Sequence, residues 1–257
     1  MRLHAAELID LSVSLGPSAS EHVPVEVQYL SHAGGGAHLA ELTGVQQQDL
    51  CGGLGWASER ISAITHSGTH VDAPFHYAPE CRGAQSRTID VMPLDWFIGN
   101  AFCIDVSRGQ DSVMPEEVAA FEKAQGIEIA AQDIVLFATG AAAAYGAANY
   151  GDCGRSLSPD VVAMLCERGV RLMGTDAWSI DPPLSKMRAR AVKEGGKSVW
   201  QAHYVGRHHE FCIVEKLTNL DRLPPSGFTF VCFPVKVVRG SAGWTRAVAI
   251  VPKRQVA

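Results

Sequence analysis

The sequence predicts an α/β domain, with α+β as the alternative. It would be built on a mixed sheet or a partly open β-barrel flanked by a few helices. Three observations predict it: strand-like runs outnumber helical ones, helix and strand alternate only in the middle, and no linker or repeat divides the 257 residues. A single domain over 1–257 is expected, and a chain of this length can bury a sizeable core.

The elements follow in chain order. The N-terminal MRLHAAELIDLSVSLGP carries one Arg, and charges interrupt its apolar stretch, so it does not read as a signal peptide. Strand-like runs fall at 60–65 and 101–105. A helix over Pro115–Gln125 has Glu116 and Glu117 in its first turn and Gly126 as its stop. A strand at 133–138 precedes a small-residue loop over 140–154. A second helix over 159–168 has Ser158 as N-cap, Pro159 at its first position and Gly169 just past its end. Further strands are expected at 170–174, 211–216, 229–238 and 247–251. Between them the basic run KMRARAVKEGGK at 186–197 reads as a solvated face, with a lid as the sharper alternative.

Composition excludes several classes. Twenty-two basic and twenty-seven acidic side chains give a net charge of −5, with 47% hydrophobic residues, which is ordinary for a folded chain and argues against disorder. No Lys/Arg stripe marks a nucleic-acid surface, and no run of about eighteen apolar residues marks a membrane span. Seven cysteines without CxxC spacing argue against a disulfide framework or a thiolate zinc site. Reduced thiols in the cytoplasm are expected.

The chemistry concentrates in one window. Three of the ten histidines fall in His66-Ser-Gly-Thr-His70-Val-Asp72-Ala-Pro-Phe-His76. Imidazole nitrogen and carboxylate oxygen are ligands that divalent metals accept. In extended chain, at ~3.3 Å per residue, His66 and His70 would stand about 13 Å apart, too far for one ion without a turn. Gly68 can supply that turn. His70 and Asp72 would lie about 6.6 Å apart on the same face, which one ion can bridge. A regular helix is disfavoured by Gly68 and by the clash of Pro74 with the His70 carbonyl. A strand running into a tight ligand-bearing loop is therefore expected. Other nucleophile and nucleotide motifs fail: Ser241 in RGSAG lacks the first glycine of GxSxG, and HHEFC lacks the second His of HExxH. Gly34-Gly35-Gly36 and the GGLG near Gly53 match no phosphate loop and read as flexible turns.

HSGTHVDAPFH resembles the HxGTHxDxPxH signature of the metal-dependent cyclase-like hydrolases, a family that includes bacterial arylformamidases, isatin hydrolases and lactone hydrolases. The stretch 203–221, HYVGRHHEFCIVEKLTNLD, resembles that family's second metal-bearing segment. The resemblance implies a divalent metal, zinc first and manganese as the alternative, in one or two ions. His66, His70 and Asp72 would bind the first, and Asp72 would bridge to a second held by His203 and Glu215. In members with a single ion, His203 or Glu215 stands behind the ligands, and His208 and His209 are rival candidates for the second site. His76 would be the catalytic acid/base. Trp56 and Phe75 would stack on a flat substrate, and Asp176 in GTDAWSIDPP would hydrogen-bond in or beside the site.

The implied reaction opens the C–N amide bond of an N-formyl arylamine or a lactam such as isatin, using water whose pKa a divalent ion lowers from ~15.7 toward ~7. A lactone hydrolase, and a non-catalytic metal- or ligand-binding protein on the same scaffold, are the alternatives. The resemblance also implies a homodimer or homotetramer, with a small molecule and neither nucleic acid nor membrane as partner.

Overall fold

A computed structural model describes residues 6–109 and 112–253. Its strands are β1 (Ala6–Asp10), β2 (Glu26–Leu30), β3 (Ser58–Ser62), β4 (His70–Asp72), β5 (Glu80–Cys81), β6 (Ala84–Gln85), β7 (Ile98–Asp105), β8 (Ile134–Ala138), β9 (Leu172–Thr175), β10 (Cys212–Glu215), β11 (Phe228–Val231), β12 (Ala242–Trp244) and β13 (Val248–Pro252). The helices are α1 (His32–Thr43), α2 (Pro74–Tyr77), α3 (Pro115–Gln125), α4 (Pro159–Glu167), α5 (Leu184–Glu194) and α6 (Gln201–Tyr204). Nine strands form one mixed sheet in the order β1-β13-β11-β7-β8-β9-β10-β4-β12, curled into a half-barrel.

The middle of the sheet, β7-β8-β9-β10, is parallel, and antiparallel strands extend it on both sides. Parallel strands buried on both faces read as nearly continuous apolar runs, and IVLFA in β8 is such a run. Alternation then sorts its side chains. Ile134 and Leu136 join the core inside the curl with Val71, Val214 and Phe230. Val135 and Phe137 join a second core against α3 and α4, through Val118, Val161, Val162 and Leu165. Each fully buried Val, Leu or Phe contributes roughly 1.5–3 kcal/mol.

Both expected helices form with the expected caps: Ser158 accepts from the Val161 amide, and Gly126 closes α3 in a left-handed turn. Three expectations need correction. The run at 60–65 forms strand only over Ser58–Ser62, outside the main sheet, in a separate two-stranded antiparallel sheet with β2. The run at 229–238 leaves the sheet after Val231, ahead of Pro234, which has no amide to donate. Gly34-Gly35-Gly36 is no flexible turn but part of α1. A Cβ on Gly35 would fall 1.8 Å from the Trp56 carbonyl oxygen, so glycine lets α1 close on the returning chain. The basic run at 186–197 lies largely within α5, where Met187 is the buried residue.

Candidate metal centre

Strand β4 is three residues long and sits between β10 and β12. His70 faces Glu215 in register, and Asp72 faces Ile213. Directly opposed residues share a face, and so do residues two apart, so His70, Asp72 and Glu215 project together. Before the strand, Gly68 takes a left-handed φ of 60°, and this turn brings His66 back over Asp72. After it, Pro74 opens α2 and places His76 one turn beyond Asp72. His203 arrives on α6 from the far side of the cleft.

The side chains converge. His66 Nδ1 lies 2.8 Å from Asp72 Oδ1 and His70 Nε2 lies 3.2 Å from the same oxygen. Asp72 Oδ2 has His76 Nε2 and His203 Nε2 each at 3.8 Å. Glu215 stands 3.8 Å from His70 Nε2 and 3.7 Å from His203 Nε2. Among the described residues, two sets of three have ligand atoms within 4.8 Å of one another: His66, Asp72, His76 and His70, Asp72, Glu215.

Three histidines are anchored through the ring nitrogen that faces away from this centre. His70 Nδ1 donates to the Gly68 carbonyl at 2.9 Å, His203 Nδ1 meets Asp181 at 2.5 Å, and His66 Nε2 meets Ser241 Oγ at 3.0 Å. The carbonyl and carboxylate partners fix the tautomers of His70 and His203, the Ser241 hydroxyl can serve His66 as donor or acceptor, and in each case the other nitrogen faces the centre. His70 Nε2 and both Asp72 oxygens are buried with no aligned hydrogen bond. Orphaned buried polar atoms are costly, and a cation supplies what they lack. The donors are nitrogen and oxygen without sulfur, as zinc, manganese and similar divalent ions accept. The residues fit a metal.

Electrostatics follow from burial and crowding. Burial works against the Asp72 charge, yet His76, His66 and His70 hold its carboxyl well below the usual range. Burial, reinforced by the Asp72 charge, pushes Glu215 up to about 7. Burial pulls His76 down to about 4, with the neighbouring histidines adding to the effect of desolvation, so it is neutral at pH 7. His203 is also buried, but contact with Asp181 and Asp72 carries it up to about 10.

The four histidines and Glu215 line a cleft of about 210 Å³ with His22, Ile64, Trp178, Ser179, Trp200 and Lys216. Trp200 stacks on the His203 ring at 4.6 Å and meets the His76 ring edge-on at 5.1 Å.

A family model described as "Putative cyclase" matches residues 9–182. The kynurenine formamidase of Salinibacter ruber (strain DSM 13855 / M31) is 32% identical over 184 residues, covering 72% of this chain and 75% of that one. The chain belongs to the cyclase family. The kynurenine formamidase of Erythrobacter litoralis (strain HTCC2594) is likewise 32% identical over 193 residues, covering 74% of each chain. Among solved structures, an isatin hydrolase bound to the product analogue thioisatinate superposes with a TM-score of 0.76 at 22% identity, over 97% of this chain and 94% of that one. That likeness is one of fold.

In this cyclase-family chain the fold brings His66, His70, Asp72, His76, His203 and Glu215 together. It places other expected residues elsewhere. His208 is exposed, with its carbonyl accepting from Arg82, and His209 lines a separate groove with Cys81 and Glu210. Trp56 and Phe75 are exposed, and the aromatic walls of the cleft are Trp178 and Trp200. Asp176 turns its carboxylate to Thr139, Gly140 and Ala142. Five residues later in the same segment, Asp181 is the carboxylate behind His203. Ser241, rejected as a nucleophile, stands behind His66.

Proposed function

We propose that this cyclase-family protein is a metal-dependent hydrolase that opens the C–N amide bond of a small aromatic or cyclic substrate, an N-formyl arylamine or a lactam such as isatin. One observation carries the reading: three anchored histidines turn their free nitrogens toward an Asp72 whose two buried oxygens lack hydrogen bonds. The likeness to kynurenine formamidases supports the amide as the bond opened. His66, His70 and Asp72 would hold one ion, with Glu215 and His203 completing it or binding a second beside it. When bound, the ion polarises a carbonyl and makes water acidic enough to attack near neutral pH.

This chain's own groups do the rest. His76, neutral at pH 7, accepts the proton of the attacking water and returns it to the departing nitrogen, which leaves poorly unprotonated. Trp200 packs edge-on against the His76 ring at 5.1 Å, and Asp72 lies 3.8 Å from its Nε2. Trp178 and Trp200 flank a flat substrate and exclude water from its faces. The same reading takes the protein as a homodimer or homotetramer. The β2–α1–β3 arm supports it: Tyr29, Leu42, Leu54, Trp56 and Ile61 are exposed along it, a surface of the kind that marks association.

The test is a panel of N-formyl arylamines, isatin and small lactones, assayed before and after chelation. The expected result is amide turnover that chelator abolishes and zinc or manganese restores. Turnover untouched by chelation, or confined to lactones, would contradict the reading.

A further inference from the structure

The residue after Glu215 is a buried lysine in an uncommon backbone conformation. Lys216 has φ 57°, in the left-handed region that few non-glycine residues occupy, and its side chain is 2% exposed. Successive side chains of a regular strand point to opposite faces. The left-handed turn breaks that alternation, so Glu215 and Lys216 both reach the metal-centre cleft. Backbone strain at such a place points to a role for the side chain it aims.

The ammonium has two partners. Lys216 Nζ donates to Glu21 Oε2 at 2.6 Å and to the His66 carbonyl at 2.9 Å. Glu21, itself 1% exposed in its side chain, accepts the Gly68 amide on its other oxygen at 2.9 Å, with the Tyr145 hydroxyl at 3.3 Å. The Lys216 carbonyl in turn accepts the Thr69 hydroxyl at 2.7 Å. The backbone is thus held at His66, at Gly68 and, through a side chain, at Thr69, on both sides of the turn that aims His66 and His70.

Simple stabilisation does not account for this arrangement. Buried ion pairs are often no better for stability than apolar replacements of similar volume, and here the pair adds backbone strain. The Lys216 charge reaches Glu215 and His70, but Glu21 pairs with the ammonium at 2.6 Å, and charge alone leaves the backbone contacts to His66, Gly68 and Thr69 unexplained. What remains is geometry.

We propose that Lys216 and Glu21 are positioning residues that clamp the 66–69 turn and thereby set how tightly the centre binds its divalent ion. The proposal rests on the metal-dependent reading above. The clamp joins three distant parts of the chain: the N-terminal segment, the histidine window and the end of β10. A displacement of the His66 carbonyl or the Gly68 amide moves both imidazoles relative to Asp72, and metal geometry tolerates little of that.

The experiment measures binding of zinc alone, and of manganese alone, to chelator-stripped protein by titration calorimetry. The unmodified protein is compared with the double variant Lys216→Met/Glu21→Gln, which removes both charges and the bond to the His66 carbonyl while keeping an acceptor for Gly68. The expected result is about 10–100-fold weaker binding, the range seen when groups behind metal ligands are removed, with metal-free melting temperature and circular dichroism close to the unmodified protein. If the double variant does not fold, Glu21→Gln alone gives the reading, with a several-fold loss expected because Lys216 loses its charged partner. Equal affinity in a folded variant overturns the clamp and leaves the metal-dependent reading standing. Equal affinity with a raised KM for the amide does the same and makes Lys216 a substrate contact. No binding by the unmodified protein overturns both.

Discussion

His76 and His203 stand on the same carboxylate at 3.8 Å and burial lowers both, yet His76 falls to about 4 while contact with Asp181 and Asp72 carries His203 up to about 10. For His76 the folded-state value is depressed, so its contribution to stability is present above its unfolded value near 6.5 and is lost as pH falls from about 6.5 through about 4. For His203 the sign reverses: its contribution is present below about 6.5 and is lost as pH rises through about 10. Metal-free protein with His76→Gln is therefore expected to lose less stability between pH 7 and pH 4.5 than the unmodified protein. Denaturant midpoints at the two pH values check this, and equal losses would contradict it. The same variant is expected to lower amide turnover by about 10²–10⁴-fold, with a smaller loss on an activated lactone whose leaving oxygen needs no proton. At this scale the histidine window was legible because residue type and spacing carry the chemistry. Asp181 was not, because two aspartates share one segment and only the fold decides which one reaches His203. Lys216 was hidden for the same reason, since its left-handed backbone has no sequence signal.

At the scale of elements, a three-residue strand positions the site. Two neighbours hold β4, and the pairing of His70 with Glu215 and Trp244 sets which way the ligands face. A slip of one residue would turn His70 and Asp72 away from Glu215. The Gly68 turn limits this arrangement. A Cβ there would meet Leu15, side chain and Cα, only at ordinary contact distances from 3.5 Å, so the cost of Gly68→Ala lies in its φ of 60°. The substitution is expected to destabilise the protein by about 1–2 kcal/mol and to weaken metal binding, as read by thermal melts with and without zinc. An unchanged melt would contradict the turn's role. The central strands and the capped helices α3 and α4 were legible because apolar runs and cap residues are local signals. The β2–α1–β3 arm was not: a triple glycine reads as a turn in sequence, and only the approach of the Trp56 backbone shows why a helix carries it.

For the molecule as a whole, the mixed sheet gathers ligands from segments more than a hundred residues apart. The window enters on β4, Glu215 follows along its neighbour β10, and α6 carries His203 across the cleft, where Asp181 receives it. That convergence explains why the sequence showed the ligands as two separate clusters, and why which atoms approach which needed the fold. The arm is a molecular-scale feature too. In solution the protein is expected to show a mass of two or four times 27.5 kDa by light scattering. Leu42→Lys with Ile61→Lys is expected to reduce it to one. A single-chain mass for the unmodified protein would contradict assembly.

Everything proposed for this cleft depends on a divalent ion held by Asp72 and the histidines around it. The most direct measurement is elemental analysis of metal per chain, on protein prepared without added metal or a nickel column, beside the His70→Ala variant. One or two equivalents of zinc or manganese are expected in the unmodified protein, with a clear loss in the variant. No metal, with none taken up on titration, would contradict it.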